Sequence, residues 1–90
     1  MSVVEGRLKD AGQIVDLVVA ERARQEQLLA DGVLPALCSQ PDCPDVLRLA
    51  ALIEEVGEVG RAIHDGDPDN LREELVQVAA VAIAWLEGIA

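Results

Sequence analysis

VLRLAALIEEVGEVGRAIH (46–64), the connection Asp65-Gly66-Asp67-Pro68, and LREELVQVAAVAIAWLEGI (71–89) are the stretches that decide the fold. Both long segments carry apolar residues at helical spacing. Gly66 can end the earlier helix in the left-handed conformation. Asp67 is an N-cap residue for the later one, and Pro68 suits its first position, where a missing N–H costs nothing. So short a connection makes the two helices antiparallel.

Upstream, Asp45 is the expected N-cap of the second helix. Before it, residues 33–44 form a loop with Pro35, Pro41 and Pro44. A first helix is expected to begin almost at the N-terminus, where Ser2 and Glu5 have capping-box spacing, and to stop near Gly32. Its apolar side carries Ile14, Leu17, Val18 and Leu28, interrupted by Glu21 and Gln25. The expected architecture is all-α: one domain over residues 1–90, an antiparallel helical hairpin plus an N-terminal helix. The palette agrees, being half hydrophobic with no Phe, no Tyr and one Trp. Such aliphatic chains suit close-packed helices better than an aromatic-walled pocket.

Eleven of the twelve residues in 75–86 are apolar, broken only by Gln77. A helix hydrophobic on all sides has to be covered all round. Two other helices from 90 residues fall short of that, so a homodimer or homotetramer is expected, with hairpins pairing into a bundle. Twelve residues are also fewer than the roughly 20 needed to cross a bilayer. Glu5, Arg7, Lys9 and Asp10 disqualify the N-terminus as a secretory signal. The expectation is a cytoplasmic protein without membrane contact. A formal charge of −10 argues against nucleic-acid binding, because phosphates repel acidic faces.

The acids on the hairpin have a pattern of their own. Counting from Gly66, Glu58 lies as far before the turn as Glu74 lies after it, and Glu55 likewise matches Gln77. At about 1.5 Å per residue these levels stand ~12 Å and ~16 Å from the turn. Glu55 with Glu58, and Glu74 with Gln77, are i, i+3 pairs, so each pair shares a helix face. Both faces also hold apolar residues: Leu52, Val59 and Ala62 on one, Val78 and Val81 on the other. Crowded, partly buried carboxylates need a positive partner. The chain has only seven Lys and Arg, with Arg48, Arg61 and Arg72 alone on the hairpin. Oxygen donors of this kind suit a hard divalent cation, Mg²⁺ first and Mn²⁺ second. The plain alternatives are solvated helical Glu, or ion pairs from Arg61 and Arg72.

LIEEVGEVGRAI and LREELVQVAAVAIAW together resemble the MazG-like all-α nucleoside triphosphate pyrophosphohydrolases over residues 46–87. That family carries EExxE on one helix and ExxD on the next. Glu54, Glu55 and Glu58 fill the first motif, and Glu74 opens the second. The resemblance implies Mg²⁺-dependent hydrolysis of a nucleoside triphosphate between its α and β phosphates, giving a monophosphate and pyrophosphate. It implies Glu55, Glu58 and Glu74 as metal ligands and Glu54 as the group that orients or deprotonates water. It also implies a dimer or tetramer. The family's Asp is Gln77 here, which offers a neutral oxygen without a charge and should hold metal more weakly. Phosphoribosyl-ATP pyrophosphatase, of the same superfamily, is a lesser match, since its acidic pair would fall on Val78 and Val81.

Arg24 and Gln25 lie in the one local concentration of arginine, residues 21–27, and are candidates for binding substrate; against that stands a solvated face with intrahelical pairs. Trp85 reads as core or interface, His64 as answering the helix dipole. Cys38 and Cys43 read as free thiols, since with His64 they complete no zinc pattern. Two functions follow: a pyrophosphohydrolase acting on nucleotide pools, or a non-catalytic helical relative that binds nucleotide or a partner protein.

Overall fold

The computed structural model describes residues 10–34 and 37–90. Three α-helices account for most of them: α1, Ala11–Ala30; α2, Asp45–Asp65; and α3, Pro68–Ile89. No strand occurs among the described residues. The expected capping box at Ser2 and Glu5 lies outside them.

The turn between α2 and α3 forms as its residues dictate. Gly66 adopts φ +64°, and its N–H donates to Ile63 O while Asp67 N–H donates to Ala62 O. Two carbonyls that the helix end would leave unbonded are thereby satisfied. Asp67 then accepts from the backbone N–H of Asn70 at 3.0 Å, with Pro68 opening α3. At the other end of α2 the expectation needs correcting. Pro44 occupies the N-cap in an extended conformation, and Asp45 is the first helical residue. The Pro44 carbonyl already accepts from Leu47 and Arg48 N–H. That frees the Asp45 carboxylate to accept from Arg48 Nη1 at 3.0 Å and Trp85 Nε1 at 3.1 Å. Trp85 is half-buried and ties the end of α3 to the start of α2.

Helix α3 lies at the centre, packed along α2 and against α1. The buried apolar residues are small: Val18, Ala62, Ala80 and Ala84. Small side chains let helices approach closely but bury little area each. Gly88 shows how close the approach is, for a Cβ there would stand 2.6 Å from Cys38 O and collide with the Arg48 guanidinium. Ile53, Val56, Leu75, Ile83 and Leu86 stay exposed.

Helix α1 departs from its expected amphipathic reading. Of the four residues expected on its apolar side only Val18 is buried, while Ile14 and Leu17 are more than half exposed. Arg22 and Gln25 are buried in their place. Of the two residues read as interruptions of the stripe, Gln25 reaches Gln77 on α3, and Arg22, beside the other, reaches Glu87 on the same helix.

Candidate functional site

The hairpin brings Glu55, Glu58, Glu74 and Gln77 to half-buried positions, with Glu54 exposed beside them. Burial pushes the Glu55 carboxyl above the usual carboxylate range, and the adjacent Glu74 carboxyl adds to that push, followed by Glu54 and Glu58. Each effect penalises the charged form. Counting from the turn set Glu58 opposite Glu74 and Glu55 opposite Gln77; among the neighbouring acids it is Glu74 that pushes the Glu55 carboxyl up most. Levels fix Cα positions only. The three rotatable bonds of a glutamate carry its carboxyl across a helical turn.

Gln77 turns the other way. Its Oε1 accepts from Gln25 Nε2 at 3.3 Å, across to α1. Gln25 Nε2 also donates to Glu21 Oε2 at 3.1 Å, and Gln25 Oε1 accepts from Arg22 Nη1 at 2.8 Å. Arg22 completes the chain through Nη2 to Glu87 Oε2 at 2.8 Å and an intrahelical pair with Glu26. A solvated face with local pairs therefore describes only part of residues 21–27. Arg24 does pair locally, donating Nε and Nη2 to Glu21 at 2.8 and 2.7 Å. These bonds hold the Glu21 carboxyl below its usual range, Arg24 first, with Gln77 and Gln25 in support against the opposing cost of burial.

The four ion pairs among the described residues involve Arg22, Arg24 and Arg48. Arg61 and Arg72 do not neutralise Glu55, Glu58 or Glu74 there. Such a donor set, half-buried and carboxylate-rich without a basic partner, suits a hard divalent cation. In the conformation present, no three His, Cys, Asp or Glu side chains among the described residues converge tightly enough to hold one.

Two hollows border these residues. One, of about 410 Å³, lies between the end of α1, the loop and α2; Leu34, Cys38, Cys43, Leu47, Glu54 and Glu55 are among its walls. Arg48, 3% exposed, fixes that loop by donating Nε to Cys38 O at 3.0 Å and Nη2 to Gln40 O at 2.7 Å. Both cysteines are free and half-buried, and burial pushes the Cys38 thiol up. The other hollow, of about 550 Å³, lies between α1 and α3 and includes Arg24, Arg72, Glu21 and Gln77. Sequence reasoning passed over Arg22 and Arg48. Their signal was scarcity: in a chain with seven basic residues, those with an acid three or four places away are candidates for buried pairs.

Residues 46–85 match the MazG nucleotide pyrophosphohydrolase domain. The match spans α2 from Val46 and α3 as far as Trp85, and over this part the chain is similar to that family. Divalent metals are typical of the family. No curated protein and no solved structure matches the chain. No helix of the described residues is long and apolar enough to cross a membrane.

Proposed function

We propose that this chain hydrolyses (deoxy)nucleoside triphosphates to the monophosphate and pyrophosphate, as a nucleotide-pool house-cleaning enzyme working in a homodimer or homotetramer. The observation that carries this reading is the placement of half-buried Glu55, Glu58 and Glu74 on the hairpin, outside every ion pair among the described residues, beside a cavity large enough for part of a nucleoside. The family match over the same residues supports it.

Glu55, Glu58 and Glu74 would hold the ion, Mg²⁺ first and Mn²⁺ second, after side-chain rotation draws them together. When bound, such an ion neutralises the polyphosphate and stabilises charge developing on it. The chain's own residues do the rest. The aliphatic and thiol wall of the loop cavity takes the nucleoside end and excludes water there. Exposed Glu54, on the rim shared with Glu55, accepts the proton of the water that attacks the α phosphorus. The bond from that phosphorus to the oxygen leading to the β phosphate breaks, and pyrophosphate leaves.

The test is pyrophosphate release from a panel of nucleoside triphosphates with Mg²⁺ or Mn²⁺. Loss of groups that merely orient a metal ligand costs about 10–100-fold, so Glu55→Ala should cost more than ~100-fold. No turnover by wild type, or turnover indifferent to Glu55, would sink the enzyme. A second reading, a non-catalytic helical module binding nucleotide or a partner protein, is favoured by one observation. Gln77 faces α1 instead of the acids. Nucleotide binding without turnover would establish it.

A further inference from the structure

The polar chain between α1 and α3 has a geometry that a weakened metal ligand would not need. Gln25 is nine-tenths buried, and every polar atom of its amide is used. Oε1 accepts from Arg22 Nη1, while the two N–H groups point to Glu21 Oε2 and Gln77 Oε1. The amide has one workable orientation. Reversed, its oxygen would face those two oxygens, and its N–H groups would face a guanidinium that cannot accept. Arg22, 6% exposed, is held in turn by Glu87. Glu87 and Gln77 both belong to α3, so α1 is clasped at two points about 15 Å apart along that helix.

We propose that Gln77 is a positioning residue: it gives α1 a neutral acceptor that holds the helix beside the carboxylates, and it does not coordinate the ion. Its neutrality is the point. Glu21 Oε2 and Gln77 Oε1 share one nitrogen as donor. A carboxylate at position 77 would put a second negative oxygen around that nitrogen, next to Glu21. Like charges so placed in a half-buried site are costly. The displaced helix carries Gln25, which lines the same cavity as Glu54 and Glu55, so a change at 77 reaches the site through α1. The statement about the ion rests on the proposed pyrophosphohydrolase site; the statement about α1 does not.

The experiment is a double-mutant cycle of Gln77→Asp and Glu21→Gln, read by thermal unfolding of the metal-free protein and by Mn²⁺ binding followed with electron paramagnetic resonance. Gln77→Asp is expected to lower the Tm and to weaken Mn²⁺ binding. Glu21→Gln in the same chain is expected to restore both Tm and Mn²⁺ affinity, because it removes the repulsion. A ligand at position 77 predicts the reverse, since an added charge should tighten Mn²⁺ by about tenfold or more whatever stands at 21. That result, or a Tm indifferent to Gln77→Asp, or the absence of rescue, overturns the proposal. Failure of wild type to bind Mn²⁺ or turn over any nucleotide would defeat the function proposed above, and the Tm cycle would then decide the role of Gln77 by itself.

Discussion

Two glutamates show how far environment separates like residues. Glu21 is held below the usual carboxylate range chiefly by Arg24, and Glu55 is held above it by burial and then by Glu74. The consequences for stability have opposite signs. A lowered folded-state value contributes stability that is present above the unfolded value and lost on acidification. A raised one means the folded protein binds the proton more tightly than the unfolded chain, so stability falls as pH rises through the carboxylate range. Glu55→Gln is therefore expected to raise the Tm of the metal-free protein at pH 7 and to change it little near about pH 4. Differential scanning calorimetry at the two pH values decides this, and a lower Tm at pH 7 would contradict the crowding. The identity of the crowded acids was legible from spacing, because i, i+3 pairs on facing helices must share a side. Which acid presses hardest on Glu55 was not, because that depends on side-chain torsions. Nor was the inward turn of Gln25 and Gln77: an amide reads equally well as a surface residue or as a buried link.

At the level of the element, the hairpin was the most legible part. Gly66, Asp67 and Pro68 each answer a distinct requirement of a helix end, and all three act as expected. Gly66→Ala would force an L side chain to φ +64°, a conformation costing roughly 1–2 kcal/mol. Urea unfolding should show a loss of that size with an unchanged m-value. No loss would mean that the turn had relaxed into another form. Asp45 misled because Asp is favoured both at the N-cap and in the first turn, and sequence alone does not separate neighbouring positions. Helix α1 was the least legible element. Its inner face is built from Arg22 and Gln25, whose polarity is matched by Glu87 and Gln77 on α3, and periodicity of apolar residues registers no such matching.

The whole molecule has a small core and a large apolar exterior. Ile53, Val56, Leu75, Ile83 and Leu86 are exposed, while the buried apolar residues among those described are one valine and three alanines. Covering one large aliphatic side chain is worth about 1.5–3 kcal/mol, so a second copy has much to gain by docking. Sedimentation at micromolar concentration is expected to give at least twice the 9.6 kDa of one chain; a monomer there would refute the assembly. The all-round apolar pattern of residues 75–86 announced this need, and the central place of α3 meets only part of it. The bond between Trp85 and Asp45 has a practical outcome of a different kind. With no tyrosine and a single tryptophan in the chain, intrinsic fluorescence comes from one indole, at the open end of the hairpin where α2 begins and α3 finishes. Its emission colour and anisotropy report locally on that end, so opening there registers optically without any attached label.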